Sequence, residues 1–217
     1  MRYDAVVFDN DGVLTTLTSH EALREAMIRA FDSVGVGDPS VEDLDTLINP
    51  TVDGLRETAA KYDVDPDVFW KEREQAAIDV QYEEIREGRK VLYEDVPSLD
   101  ALSVPRAIVS NNQHETIQNV VDHFGLDGFD PCYGREPTVK GIERKKPTPY
   151  YLRRALDELG AENPLYVGDS RVDVVAADAL GVDSAFIWRE HRRGYELDVE
   201  PTIEIDSLED LLEIAKP

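Results

Sequence analysis

The chain has 217 residues, and its 46 acidic residues against 23 lysines and arginines give a formal net charge of −23. This length allows one large domain, or one core domain with a smaller insert, to bury a hydrophobic core. Because nucleic acids and anionic membranes attract basic surfaces, the charge argues against both as partners.

The cysteine content and the N-terminal residues indicate the compartment. The single cysteine, Cys132, excludes an intrachain disulfide and gives no sign of an oxidising environment. The apolar run at the N-terminus is too short and too acidic for a signal peptide, and no later run is long enough to span a bilayer. We therefore expect a soluble, cytoplasmic protein.

The excess of acidic residues also predicts adaptation to high salt, a halophilic character. Lysine is scarce, with seven residues against sixteen arginines, and the acids are spread along the whole chain. High salt screens the self-repulsion of such a surface. The alternative is an ordinary solvated surface, for which a smaller excess would suffice. In either case, a site for an anionic substrate must supply its own positive charge.

In chain order, the first predicted element is a buried strand over residues 3–8, which runs into the turn-forming sequence DNDG. From Thr18 to Gly35 the apolar spacing is helical, and Thr18 with Glu21 fits a capping box that begins the helix. Residues 40–90 are predicted to be helical throughout, with breaks at two Xaa-Pro steps.

After this helical region the pattern alternates between strands and helices. Strands are predicted over 106–110, 165–167 and 184–188, and helices over 113–124, 152–159, 170–180 and 207–215. Such alternation indicates an α/β fold with a parallel sheet and helices on both faces. We predict an α/β core made of residues 1–16 and 92–217, with residues 17–91 as an inserted all-helical domain.

Three polar clusters directly follow predicted strands: Asp9 with Asp11, Ser110 with Asn111, and Asp169. In an open parallel sheet, ligands bind at the carboxyl ends of the strands. We therefore expect these side chains, which are distant in sequence, to lie close together.

The carboxylates among them predict a metal site. Asp9 and Asp11 are two residues apart on an extended segment, so their side chains point the same way and need a cation to relieve their repulsion. Asp169 adds a third carboxylate. Clustered hard oxygens suit Mg²⁺, which binds a few carboxylates, several waters and a substrate phosphate. An isolated acidic pair beside a glycine is usually a turn, so this interpretation depends on the convergence.

A lysine and a serine could bind the phosphate. Lys146 precedes a proline, which favours an extended conformation outside the helix that follows. Beside the carboxylates it could hold phosphoryl oxygens, although an isolated lysine is usually a solvated charge, and Lys145 is its competitor. Ser110 ends a strand where its hydroxyl could reach a phosphate, but it could equally cap the next helix.

With these residues the sequence resembles the haloacid dehalogenase superfamily, and specifically its phosphatases of the phosphoglycolate phosphatase type. The four motifs of that family correspond, in order and spacing, to VVFDNDGVL (6–14), IVSNN (108–112), KP (146–147) and VGDSRVDVVAADALG (167–181). The resemblance implies a Rossmann-like core with a helical cap domain inserted after the first motif.

The resemblance also implies roles for the acidic residues. Asp9 would be the nucleophile that forms an aspartyl-phosphate, and Asp11 the general acid and then base. Mg²⁺ would be held by Asp9, the backbone carbonyl of Asp11 and Asp169. Asp173 would support the water shell of the metal, although an acid in the first turn of a helix is also favourable without one.

The remaining predicted contacts are with the substrate. Ser110, Asn111 and Lys146 would bind its phosphoryl group. Arg56, in the region that resembles the specificity loop of the cap, could bind a further anionic group, although an exposed helix arginine is the simpler interpretation.

Other residues depart from the family or carry no prediction of function. Val13 replaces the commoner threonine, and Asn112 stands where many relatives carry lysine. We treat the histidines at 20, 114, 123 and 191 as surface residues and the basic segment 188–193 as an ordinary loop.

These features together predict a Mg²⁺-dependent phosphatase that acts on a small phosphorylated metabolite. An acid at position 11 favours phosphoryl transfer over dehalogenation, because dehalogenases of the superfamily lack it. One alternative is a phosphosugar mutase, which shares the motifs and differs in how the cap excludes water. The other is a non-catalytic module that accepts phosphate as a signal, but such modules are shorter and lack the insertion.

Overall fold

The computed structural model describes residues 3–215, and its central element is a six-stranded sheet. The strands are β1 (Ala5–Phe8), β2 (Arg106–Gln113), β3 (Phe129–Arg135), β4 (Pro164–Gly168), β5 (Asp183–Ile187) and β6 (Ile203–Ile205). They lie in the order β3-β2-β1-β4-β5-β6, and every pair of neighbours is parallel. The predicted α/β class with a Rossmann-like parallel sheet is confirmed.

Nine α-helices accompany this sheet in the described part of the chain. They are α1 (His20–Ser33), α2 (Val41–Ile48), α3 (Val52–Lys61), α4 (Pro66–Arg86), α5 (His114–Phe124), α6 (Val139–Arg144), α7 (Tyr150–Leu159), α8 (Arg171–Asp178) and α9 (Leu211–Ile214). The first four follow one another between β1 and β2, in the region that was predicted to be all-helical. The division into a core and a cap domain stays a prediction.

The central strands are buried on both faces, as expected for a parallel sheet with helices on each side. Along β1, the side chains of Val6 and Phe8 join one apolar cluster and that of Val7 joins another, because successive strand residues point to opposite faces. Residues of α5 complete the first cluster and residues of α7 the second. Helices therefore cover both faces.

Helices α1 to α4 bury an apolar cluster of their own. Its largest members include Met27, Phe31, Leu55, Phe69 and Trp70, all buried. The spacing of Met27 and Phe31 is the helical period that the sequence showed. These helices are therefore held together by their own core as well as by contacts with the sheet.

The start of α1 differs from the prediction. Ser19, rather than Thr18, is the N-cap, and its hydroxyl accepts a hydrogen bond from the backbone N–H of Ala22 at 3.1 Å. The predicted capping box of Thr18 and Glu21 is therefore wrong. The Thr18 hydroxyl instead donates to the side chain of Gln81 in α4, at 3.3 Å. This long-range contact is invisible in a local sequence pattern.

The longest helix, α4, begins with strong local signals. The side chain of Asp65 accepts hydrogen bonds from the N–H groups of Asp67 and Val68, and Pro66 occupies the first turn. Among residues 3–215, no helix is long and apolar enough to cross a membrane.

The edges of the sheet were not predicted. β3 contains Pro131 and Gly134, which weaken a strand pattern but are tolerated at an edge. β6 has only three residues. The terminal helix expected over 207–215 is a short 3-10 turn followed by α9, with Ser207 as its cap.

Candidate active site

A cleft of about 420 Å³ lies between the carboxyl ends of the strands and the helices α1, α2 and α4. The predicted residues that line it are Asp9, Asp11, Ser110, Asn111, Lys146 and Asp169. All of them except Lys146, which lies between α6 and α7, follow or end β1, β2 and β4. These strands are neighbours in the sheet, so their ends meet at one edge. The predicted convergence of the three polar clusters is therefore observed.

Asp9 follows β1 and is 8% exposed. Its Oδ1 atom accepts hydrogen bonds from the N–H of Asn10 at 2.7 Å and from Nζ of Lys146 at 2.9 Å. Burial raises the pKa of Asp9 to about 7; Lys146 opposes this shift, and the nearby Asp173, Asp169 and Asp11 add to it. The positive charge of Lys146 therefore does not fully compensate for burial and for the neighbouring carboxylates, and a bound cation would stabilise the ionised form of Asp9.

Lys146 is buried at the centre of the site. Its ammonium lies 2.9 Å from Asp9 Oδ1 and 2.7 Å from Asp173 Oδ1, and it donates to the hydroxyl of Tyr166 at 2.7 Å. Burial lowers the pKa of Lys146, but the two carboxylates outweigh it and the net shift is upward. Lys146 is therefore a fixed positive charge beside Asp9.

Lys145 lines the same cleft but points elsewhere. Its Nζ donates to Oδ1 of Asn49 and to the carbonyl of Pro50, both at 2.9 Å, in the loop between α2 and α3. Of the two candidate lysines, the structure places Lys146 at Asp9 and Lys145 at the helical side of the cleft.

Asp9, Asp169 and Asp173 form a buried carboxylate cluster. One oxygen from each lies within 4.8 Å of the others. Glycine is required at two points around this cluster, because a Cβ on Gly12 would overlap Oδ2 of Asp169 and a Cβ on Gly168 would overlap Asp173. The backbone is thus packed against the carboxylates. A compact set of oxygen ligands of this kind fits Mg²⁺.

Asp173 has partners in the protein for both carboxylate oxygens. Oδ1 contacts Lys146, while Oδ2 accepts from the N–H of Ser170 at 3.0 Å and from the Ser170 hydroxyl, as part of a capping box for α8. Its role in capping the helix is therefore observed, and support for the water shell of a metal stays a prediction.

The side chain of Asp11 lies outside the carboxylate cluster. Its Oδ2 accepts from Nδ2 of Asn112 at 2.8 Å, and its Oδ1 pairs with the ammonium of the buried Lys90. The metal contact that the resemblance implies for Asp11 is a backbone carbonyl, so it does not depend on this side-chain position.

Ser110 and Asn111 occupy different environments. Ser110 is buried at the end of the apolar part of β2 and lines the cleft. The side chain of Asn111 accepts from the N–H of Lys146 at 2.6 Å and donates to the Lys146 carbonyl at 3.0 Å. Asn111 therefore holds the backbone that carries Lys146, and direct substrate binding by its side chain is not needed to explain its position.

Arg56 lies on an exposed position of α3 and is not among the residues that line the cleft. The predicted contact between Arg56 and substrate has no support in this geometry. Besides Lys146, the cations that line the cleft are Arg73 in α4, Arg135 at the end of β3, Lys145 after α6, and Arg192.

Two residues that sequence reasoning assigned to the surface reach the site. His191 Nε2 lies 2.6 Å from Asp169 Oδ2, and Arg192 donates to the same oxygen at 3.0 Å. His191 is exposed, as predicted for a surface residue. The contacts of His191 and Arg192 with Asp169 nevertheless bring the segment 188–193 to the site, which its interpretation as an ordinary loop did not include. The signal was available, since this loop follows β5, whose carboxyl end faces the same edge of the sheet.

Comparisons with known proteins agree with this geometry. The family model for haloacid dehalogenase-like hydrolases matches residues 6–187. Pyrophosphatase PpaX of Bacillus cereus is 27% identical over 218 residues, covering 99% of this chain and 97% of that protein. A phosphoglycolate phosphatase of Photobacterium profundum is 26% identical over 97% of this chain and 95% of its own.

Among solved structures, CbbY from Rhodobacter sphaeroides in complex with phosphate is similar in fold. The TM-score is 0.71 at 22% sequence identity, with 96% of each chain covered. This similarity supports the overall α/β fold.

Proposed function

The chain belongs to the haloacid dehalogenase-like hydrolase family, and we propose that it is a Mg²⁺-dependent phosphatase acting on a small phosphate monoester. The observation that carries the proposal is the buried carboxylate of Asp9, held by Lys146 beside Asp169 at the carboxyl end of a parallel sheet. Full-length similarity to proteins named phosphoglycolate phosphatase and pyrophosphatase supports phosphoryl chemistry.

Asp9 is the proposed nucleophile. Within residues 3–215, both hydrogen-bond donors to its carboxylate, Lys146 and the N–H of Asn10, meet Oδ1. Oδ2 is thus left to attack phosphorus. The new bond joins Oδ2 to phosphorus as the bond from phosphorus to the leaving oxygen breaks, which gives an aspartyl-phosphate.

Asp11 is the proposed general acid and base. It is two residues after the nucleophile and lines the cleft, where its carboxyl can face the leaving oxygen. It gives a proton to that oxygen in the first step. In the second step it takes a proton from the water that attacks phosphorus, so that phosphate leaves and Asp9 is restored.

Other residues bind the phosphoryl group and the metal. The Ser110 hydroxyl and the Lys146 ammonium hold phosphoryl oxygens, and Asn111 keeps Lys146 in place. Asp9, Asp169 and the backbone carbonyl of Asp11 are the proposed ligands of Mg²⁺. When bound, this ion neutralises the charge of the transferred group. His191 and Arg192 orient the carboxylate of Asp169.

Hydrolysis of a generic aryl phosphate by the purified protein tests the proposal. We expect many turnovers with Mg²⁺ and none in excess chelator, with recovery when Mg²⁺ is restored. Retention of at most one phosphate per chain would identify a phospho-accepting module instead. Isomerisation of a phosphosugar without net phosphate release would identify a mutase.

A further inference from the structure

The cleft is lined by more cations than carboxylates. Arg73, Arg135 and Lys145 line it, and the carboxylate that neutralises part of this charge is the buried Glu74. The acidic residues that line the cleft are Asp9, Asp11 and Asp169. Among the described residues, none of the three cations forms an ion pair with them. In a chain of net charge −23, three clustered cations facing a cleft need an explanation.

The side chains of the two arginines are held by hydrogen bonds within the protein. Arg73 donates to the carbonyls of Leu47 and Ile48, each at 3.0 Å, and to Glu74. Arg135 pairs with Glu74 through both terminal nitrogens and donates to the carbonyl of Asn111 at 3.0 Å. Their guanidinium groups are therefore fixed, and they contribute a positive field to the cleft.

Lys145, in contrast, contacts only neutral acceptors among the described residues. Its ammonium has three N–H groups, and the acceptors it meets among residues 3–215 are two neutral oxygens, of Asn49 and Pro50. No carboxylate in the described part of the chain forms an ion pair with it. Burial, Arg135 and Arg73, in that order, lower the pKa of Lys145 to about 8. The ammonium is thus half-buried among like charges, and an anion would stabilise it.

We propose that Lys145 binds a second anionic group of the substrate, so that the preferred substrate is a small phosphate monoester that also carries a carboxylate or a second phosphate. This proposal rests on the proposed phosphatase function. Lys145 and Lys146 both line the cleft, so one small substrate with two anionic groups can meet both ammonium groups. Asn49 and Pro50 hold the Lys145 ammonium in position.

Steady-state kinetics on three substrates of similar size test the proposal. Ethyl phosphate has no second charge, phosphoglycolate has a carboxylate, and ethylene glycol bisphosphate has a second phosphate. For the wild type we expect kcat/KM for at least one anionic substrate to exceed that for ethyl phosphate by about 10- to 100-fold, the effect of one charge-assisted hydrogen bond. The anionic substrate with the higher kcat/KM shows whether Lys145 prefers a carboxylate or a second phosphate.

The variants separate anion binding from a structural role. We expect Lys145→Met to raise KM for the preferred substrate by about 10-fold or more, with a far smaller effect on ethyl phosphate. Lys145→Arg should retain most of the preference. Lys71→Met, at an exposed lysine of α4 that does not line the cleft, is the matched control, and melting curves check folding.

Three results would overturn the proposal. One is a wild type that hydrolyses phosphate monoesters without preferring either anionic substrate, which leaves the phosphatase function standing. Another is an equal loss on all three substrates in Lys145→Met, which means that Lys145 only tethers the loop between α2 and α3. The third is failure of the wild type to hydrolyse any phosphate monoester with Mg²⁺, which removes the proposed function as well.

Discussion

Lys90, whose side chain is 0% exposed, pairs with Oδ1 of Asp11 from the segment that follows α4. The same ammonium donates to the hydroxyl of Thr18 at 3.2 Å, in the segment that leads into α1. Lys90 therefore connects the proposed general acid to both chain segments that join helices α1 to α4 to the sheet.

Replacing Lys90 tests this connection. We expect Lys90→Met to lower the free energy of unfolding by about 2 kcal/mol, less than for a fully buried pair because the Asp11 side chain is 25% exposed. It should also lower kcat by about 10-fold or more, because Asp11 loses the group that positions it. Urea denaturation and steady-state kinetics measure the two effects.

The matched control for Lys90 is Lys61, which pairs with Asp43 but has a side chain that is 53% exposed. Lys61→Met should change stability far less and leave kcat unchanged, because solvent screens an exposed pair. Equal effects of the two variants would contradict the role given to Lys90.

Glu74 is the acidic residue of a buried ion-pair network. It is 2% exposed and pairs with both Arg73 and Arg135. Glu74→Gln leaves two buried guanidinium groups without a neutralising charge, so we expect a loss of about 3–5 kcal/mol in the free energy of unfolding by urea denaturation. Glu83→Gln removes one of the two exposed acidic partners of Arg29 and is the control. A loss no larger than that of the control would show that the buried network adds little.

The raised pKa of Asp9 predicts a pH-dependent stability. The folded-state pKa of about 7 lies above the ordinary value of 3.8, so the folded chain binds this proton more tightly than the unfolded chain. The stabilisation is complete below about pH 4 and is lost as the pH rises through 7. In metal-free protein, Asp9→Asn should therefore melt at a higher temperature than the wild type at pH 8, with a smaller difference at pH 5.

Adding Mg²⁺ at pH 8 is the companion measurement. It should raise the melting temperature of the wild type more than that of Asp9→Asn, because the ion binds the folded state through this carboxylate. The contradicting result is a variant that, in the presence of chelator, is less stable than the wild type by the same amount at both pH values. It would mean that the pKa of Asp9 is not raised in the folded protein.

The central part of the fold and the position of the proposed nucleophile were predictable because local patterns determine them. Strand β1 is a buried β-branched run that ends in polar residues, and the same is true of the start of β2. β3 was missed because Pro131 and Gly134 interrupt its pattern, and only its place at the sheet edge makes them acceptable.

The missed site residues depend on contacts between distant parts of the chain. Lys90 is 79 residues from Asp11, and Arg135 is 61 residues from Glu74. No helical or strand period links such pairs, so each charge in isolation resembles a solvated surface residue. Lys145 and Lys146 show the same effect, because adjacent residues of one type take different partners that only the fold determines.

The acidity of the chain predicts a dependence of stability on salt. At ~0.1 M ionic strength the Debye length is about 10 Å and neighbouring acids repel, whereas at ~1 M it is about 3 Å. The folded state concentrates the net charge of −23 more than the unfolded chain does, so screening should stabilise it. We expect the melting temperature to rise from low to molar KCl, by more than for a near-neutral protein of the same fold. A flat or falling curve would indicate ordinary surface solvation.

The rate of phosphate release by Asp9→Asn tests directly whether Asp9 is the nucleophile of a phosphatase. The assay uses an aryl phosphate with Mg²⁺, and Asp178→Asn, at an exposed aspartate of α8, is the matched control. An amide oxygen is too weak a nucleophile to attack phosphorus, so we predict a loss of at least about 1,000-fold in kcat with the fold intact, and wild-type activity in the control. Retention by Asp9→Asn of more than a few per cent of the wild-type rate would show that Asp9 is not the nucleophile.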